Sequence, residues 1–163
     1  VFYAYKLICN GLIEAIKLLG IHADFDPGNL KHCPNVLVNG RKISGSSQSH
    51  RRGVLLQHGT FLTDIDLEKM FMFLRVPWAK TCMEVVPTAK KKITSVKQEL
   101  GASISTEEAY NALVKGFQKA LEIKLIEGKL TGYEEDLSGR LSIEKFATED
   151  WNLRGKCLVS SVQ

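Results

Sequence analysis

No stretch of this chain carries the roughly 18 consecutive apolar residues that a membrane-spanning helix requires. No short apolar segment near the start has basic flanks and a cleavage site, so neither a membrane association nor an export leader is expected. Proline is scarce, with four in 163 residues, which argues against a collagenous or low-complexity chain. The four cysteines, Cys9, Cys33, Cys82 and Cys157, are scattered without a C-x-x-C pair or a histidine at ligand spacing. No resident metal and no disulfide framework is expected from them, and they suit a reducing compartment, cytoplasmic or, in a eukaryote, mitochondrial. Charge of one sign is also lacking: 22 basic against 18 acidic residues leave a net +4. That surplus would help attract an anionic nucleotide or an acidic protein but is too thin for a dedicated nucleic-acid binder. What remains is a globular composition, 44% hydrophobic and 25% charged, at a length that suits a single domain over 1–163.

The chain opens on Val1 with a helix already in progress, so a fragment, a processed product or one subunit of a larger enzyme is the expectation. Leu7, Leu12, Ile16 and Leu19 recur at helical spacing, and Gly20 supplies a stop. Asp24 to Asn29 reads as an irregular turn around Pro27-Gly28. Val36-Leu37-Val38, Asn39-Gly40 and Arg41-Lys42-Ile43 then predict a hairpin, because Asn-Gly accepts the positive φ angles of a type I′ turn. A second connection over Ser49 to Gly53 leads into Val54 to Leu62, giving a three-stranded antiparallel meander over 36–62.

Helical spacing returns at Asp64, with Ile65, Leu67, Met70, Phe71 and Leu74 on one stripe and Pro77 as its end; Met70, Phe71, Met72 and Phe73 read as helix core. Residues 78–92 read as a connection that finishes in Lys90-Lys91-Lys92, a run that either meets an acidic protein partner or is simply solvated. Capping boxes at Ser105-x-x-Glu108 and Thr131-x-x-Glu134 predict two further helices, with one short strand over Ile123–Ile126 between them. The fold class is therefore α+β, an antiparallel sheet packed with helices.

The densest polar cluster runs from Asn39 through Lys42, Ser44, Gly45, Ser46 and Gln48 to Arg51-Arg52, and on to His58-Gly59-Thr60. Period-two alternation would put Lys42, Ser44 and Ser46 on one strand face, while Gly45 and Gly59 would let a ligand approach the backbone. A lysine there could meet a phosphate oxygen or a polarised carbonyl, with hydroxyls as neutral donors. The plainer reading of the same residues is an exposed hairpin.

Three segments, Pro34-Asn35 through Lys42-Ile43-Ser44-Gly45-Ser46 to Gln48, Arg52 through His58-Gly59-Thr60 to Leu62, and Ile93 to Val96, resemble the lipoate-protein ligases of the wider biotin and lipoate ligase or octanoyltransferase superfamily. Ala109 to Leu121, Thr131-x-x-Glu134 and Thr148 to Asn152 look like that family's later helices, so the resemblance covers nearly the whole chain. It implies a catalytic domain like those of class II aminoacyl-tRNA synthetases and biotin ligases. It also implies a two-step reaction: lipoate attacks the α-phosphate of ATP, present as its Mg²⁺ complex, and the lipoyl-adenylate then acylates a lysine of a carrier domain. The carriers implied are the E2 component of a 2-oxoacid dehydrogenase or the glycine-cleavage H protein.

Under that resemblance Lys42 is the catalytic cation, and Asn35, Ser44, Gly45, Ser46, His58, Gly59 and Thr60 line the substrate and nucleotide site. The family's Asn-Asp pair is represented by Asn35 without a following Asp, and no metal ligand is assigned. The family's upstream Arg-Arg-x-x-Gly-Gly-Gly segment does not occur here, which implies the second part of a catalytic domain whose glycine-rich half lies in a missing N-terminal portion or a second subunit. Two alternatives stand beside the ligase: an ATP-independent octanoyl or lipoyl transferase, for which Cys33 is a candidate nucleophile, and a non-catalytic remnant that binds the acyl group or the carrier.

Overall fold

In the computed structural model, residues 2–29, 32–76 and 81–155 are described. Where the sequence reading treats 1–163 as one domain, the chain divides into two compact units, Val1–Leu125 and Ile126–Gln163. The first unit begins with helix α1 (Phe2–Leu18), whose stripe of Tyr5, Cys9, Leu12, Ala15 and Ile16 is buried, and Gly20 ends it at φ +83°. A four-stranded antiparallel sheet follows in the order β1 (Asp24–Asp26), β2 (Asn35–Val38), β3 (Arg41–Arg51) and β4 (Val54–Gly59).

The first hairpin forms as the Asn-Gly pair requires, with Asn39 at φ +50° and Gly40 at φ +74°. The second is tighter than the sequence suggests: β3 runs to Arg51, and Arg52 (φ +49°) and Gly53 (φ +78°) alone make the turn. β4 ends at Gly59 rather than Leu62. β1 lies in a segment that reads as irregular, because a three-residue strand is defined by its pairing with β2 rather than by its own composition.

Helices α2 (Leu67–Phe73), α3 (Cys82–Lys92), α4 (Val96–Leu100) and α5 (Thr106–Leu121) complete the first unit. The Asp66 side chain caps α2 by accepting from the Lys69 N–H at 2.9 Å, so the helix starts later than Asp64. Its expected core is overturned: only Leu67 is buried, while Met72 and Phe73 are 72% and 77% exposed. Helix α3 corrects the expected connection over 78–92. Burial of Val85, Val86 and Ala89 along one stripe outweighs the backbone hydrogen bond lost at Pro87, which lies on the exposed side. The end assigned to Pro77 lies outside the described residues. The capping box of Ser105 and Glu108 opens α5. No strand forms over Ile123–Ile126; that segment continues irregularly past Glu122, which closes α5 at φ +54°.

The core joins Cys9, Leu12 and Ile16 of α1 to Val36, Val38 and Ile43 of the sheet and Val96 of α4. Leu113 and Phe117 of α5 close it from outside. α1 and α5 cross closely because glycines meet there: a Cβ on Gly116 would lie 2.4 Å from the Ala15 nitrogen, and one on Gly11 would lie 2.4 Å from the Phe117 ring. In the second unit the capping box of Thr131 and Glu134 opens α6 (Gly132–Leu141), which runs into a π-helical turn (Ser142–Phe146) and then α7 (Glu149–Asn152). Phe146 and Trp151 meet edge to face at 5.1 Å, and the Lys145 ammonium lies 4.5 Å from the Trp151 ring centre.

Candidate active site

Lys42 lies one residue into β3, just before an irregularity that decides the site. Leu37 of β2 pairs with Lys42 and Val36 pairs with Ser44, so Ile43 is an extra residue, a β-bulge. The bulge breaks the period of two. Ile43 and Ser44 both turn into the core, and the face of Lys42 continues through Gly45 and Ser47. The common face expected for Lys42, Ser44 and Ser46 therefore does not form. Ser44 is fully buried with its hydroxyl unpaired among the described residues, and the Ser46 hydroxyl points toward the Cys9 thiol (3.9 Å) and the Pro34 carbonyl (3.5 Å).

Gly45 is where the lysine rests. A Cβ at Gly45 would fall 2.6 Å from Lys42 Cε and 2.7 Å from Nζ, so the side chain lies across the bare glycine backbone. The strand is pinned on both sides there. The Thr60 N–H donates to the Gly45 carbonyl at 2.9 Å, the Gly45 N–H donates to the Thr60 hydroxyl at 3.3 Å, and the Thr94 N–H donates to the Lys42 carbonyl at 2.9 Å. Gly59 packs as tightly, since a Cβ there would meet the Gly45 carbonyl at 2.9 Å.

These residues line a cleft of about 420 Å³ that includes Lys42, Gly45, His58, Gly59 and Thr60. Its other walls are apolar: Leu62 and Ile65 from the loop after β4, Met70 from α2, and Ile93, which bridges Lys42 in parallel. Sequence reasoning missed this apolar lining. The half-buried stripe of α2 carries the signal for it, because a partly buried face that finds no core marks a wall. A cation beside a hydrophobic slot suits a ligand with a polarised carbonyl or acyl phosphate head and an aliphatic tail.

Asn35, 8% exposed, stands next to the lysine cradle, with Oδ1 3.9 Å from the position of a Gly45 Cβ. Its Nδ2 donates to the Cys33 carbonyl at 2.9 Å and to Asp26 at 3.3 Å. Asp26 of β1 thus sets a carboxylate against Asn35, and it also accepts from the Gly28 N–H at 3.0 Å. Among the described residues no group of three or more His, Cys, Asp or Glu side chains is placed to hold a metal ion. Cys33 is exposed. Burial, followed by the neighbouring Cys33 thiol, holds the Tyr5 hydroxyl above its ordinary value, so Tyr5 stays neutral. Burial likewise pushes the Cys9 thiol up, so Cys9 is an inert core residue.

Residues 1–118 match the family described as the lipoyl protein ligase A/B catalytic domain. The chain belongs to this family. It is 31% identical over 169 residues to octanoyltransferase LipM of Brevibacillus brevis, the match covering 93% of this chain and 61% of that protein. The chain spans about three-fifths of the length of the curated relatives it matches. Among solved structures, the bi-partite lipoate protein ligase of Thermoplasma acidophilum, described with its E2 lipoyl domain, is similar at a TM-score of 0.77 and 27% identity, over 92% of this chain and 57% of that one. Lipoate-protein ligase A bound with ATP is similar at 0.78 and 25%, over 93% and 59%. The fold is therefore the α+β catalytic domain of the lipoate-ligase family, with its four-stranded antiparallel sheet. Among the described residues no helix is long and apolar enough to cross a membrane.

Proposed function

We propose that this chain provides the Lys42 side of an acyltransferase that moves an octanoyl or lipoyl group from a thioester to a lysine of a lipoyl carrier domain, without ATP. The observation that carries this reading is the Lys42 ammonium laid over Gly45 at an apolar cleft. The similarity to octanoyltransferases favours it over the ligase reading. In the reaction the carrier's neutral ε-amine attacks the acyl carbonyl, a C–N bond forms, and the oxyanion develops beside Lys42. Collapse breaks the C–S bond, and the thiolate leaves with the proton lost from the amine. The ammonium stabilises charge present only after attack, which lowers the barrier rather than merely binding substrate.

His58, in the same cleft, is the side chain suited to accept the amine proton. Asn35 and the Gly45, Ser46, Gly59 and Thr60 backbone shape the cradle, and Ser44 supports it from within the core. E2 and H-protein lipoyl domains are the acceptors in this reading, in a cytoplasmic or mitochondrial setting. The ligase reading keeps one specific support, the Asp26 carboxylate against Asn35, which ATP·Mg²⁺ with lipoate would call upon.

Mass spectrometry separates these readings. One tube holds the protein, an octanoyl thioester and an apo lipoyl domain; the other holds lipoate, ATP and Mg²⁺ with the same domain. Each is run with and without a relative's Arg-Arg-x-x-Gly-Gly-Gly half added in trans. Octanoylated domain in the ATP-free tube is the expected result. Lipoyl-AMP in the second tube, with nothing in the first, would replace the transferase by the ligase. Silence in every tube would leave a non-catalytic binding module.

A further inference from the structure

We propose that Lys91 and Lys92, at the C-terminal end of α3, form a docking rim that reads carboxylates flanking the acceptor lysine of an acidic carrier domain. The inference deepens the acyl-transfer reading above and rests on it.

The lysine run is joined directly to the cleft. Lys92 is followed by Ile93, which forms a cleft wall and bridges Lys42, and the next residue, Thr94, donates to the Lys42 carbonyl at 2.9 Å. The three lysines are not equivalent. Lys90 is paired with Glu68 of α2 at 3.4 Å, whereas Lys91 and Lys92 are exposed and have no hydrogen-bond or ion-pair partner among the described residues. Lys69, which precedes the cleft residue Met70, is exposed as well.

The carboxylates nearby are already engaged. Asp64 pairs with Lys97 at 2.7 Å, Glu68 pairs with Lys90, and Asp66 caps α2. Among the described residues the cleft lining contains no carboxylate. A run of lysines at a helix C-terminus is favoured by the helix dipole alone, and that accounts for their presence without a partner. It does not account for the pairing of Lys90 while its two neighbours, next in sequence to the cleft wall Ile93, stay open.

The acceptor's chemistry supplies the reason. A lysine approaching this cleft in its charged form meets the Lys42 ammonium, so a carrier whose acceptor lysine is flanked by acids is captured more readily than one without them. Lys91 and Lys92, in the last turn of the helix that leads directly into the cleft wall Ile93, offer the open cations that such carboxylates would meet. Such rim charges act on encounter rate and on salt dependence more than on the chemical step.

The test compares the parent with Lys91→Gln/Lys92→Gln and with Lys90→Gln, which removes a charge from the same helix end but not from the open pair. Binding of a fluorescently labelled, acidic apo lipoyl domain is measured directly, and transfer is measured both to that domain and to a short uncharged acceptor peptide. At low ionic strength the double variant is expected to lose about tenfold in affinity and in kcat/KM toward the domain. Its kcat and its transfer to the peptide should be unchanged, and its difference from the parent should vanish near 1 M salt, where screening lengths shrink to about 3 Å. Lys90→Gln should match the parent. Equal affinity of parent and double variant for the domain would overturn the docking rim even if transfer proceeds. Absence of transfer to either acceptor, with the relative's glycine-rich half supplied in trans and the affinity difference intact, would instead overturn the acyl-transfer reading and keep the rim.

Discussion

At the scale of single residues, Gly45 is the most informative position after Lys42. A methyl group placed there meets the far end of a flexible side chain, at 2.6 Å from Lys42 Cε, and no backbone atom of another element. Gly45→Ala should therefore fold normally while pushing the ammonium off its seat. Transfer is expected to fall about 10- to 100-fold, because an ångström of misplacement is costly in a preorganised site. Lys42→Met, which keeps the aliphatic stem and removes the charge, should lose about 100-fold or more in kcat. Thermal unfolding of both should stay within about 1 kcal/mol of the parent, as for surface substitutions generally. Near-parent turnover in Lys42→Met would remove the lysine from the mechanism. The two described free cysteines are distinguished by the same physics. Cys33 is exposed, whereas burial holds the Cys9 thiol up, so peptide mapping after brief iodoacetamide treatment should find Cys33 modified ahead of Cys9. If that treatment abolishes transfer and Cys33→Ala is itself inactive while still folded, an acyl-thioester on Cys33 enters the mechanism; full activity in Cys33→Ala confines the chemistry to the Lys42 cleft.

At the scale of elements, the crossing of α1 and α5 holds the sheet's supporting layer by close contact rather than by large side chains. Alanine is the better helix former by about 1 kcal/mol, so Gly116→Ala would stabilise an isolated helix. Here its Cβ would sit 2.4 Å from the Ala15 nitrogen and 2.6 Å from the Gly11 carbonyl, both backbone atoms that cannot rotate away. A net loss of about 1–3 kcal/mol is expected from denaturant unfolding, and a stabilised variant would mean that the helices do not cross at these glycines. Elements differ in how far their own residues announce them. The Asn39-Gly40 turn and both capping boxes are legible because a few adjacent side chains settle them. The bulge at Ile43 is not, since it exists only against β2, and it turns Ser44 away from the face that alternation assigns to it. Helix α3 is hidden by Pro87 and by the lysine run, because its stability comes from tertiary burial of Val85, Val86 and Ala89. The site follows the same division: Lys42, Gly45, His58 and Thr60 are visible in the string, whereas the walls from Leu62, Ile65, Met70 and Ile93 depend on how distant elements meet.

At the scale of the whole molecule, burial is distributed unevenly between the two units. The core runs from Cys9 to Val96, with Leu113 and Phe117 packed on it, and lies wholly within Val1–Leu125. In the second unit, α6, the π-helical turn and α7 contain no buried residue, and Tyr133, Ile143 and Leu153 are exposed. Hydrophobic burial is the main favourable contribution to folding, and helices of ten residues or fewer are marginal in water without it. A chain ending at Leu125 should therefore unfold cooperatively and keep the Lys42 cleft, whereas 126–163 alone should give the circular dichroism of a largely unstructured peptide. Dispersed amide resonances for 1–125, with little change at Lys42, Gly45 and Thr60 relative to the full chain, would bear this out. If 1–125 collapses without sharp unfolding, the second unit contributes stability that its own burial does not reveal. The cleft would then depend on residues beyond Leu125.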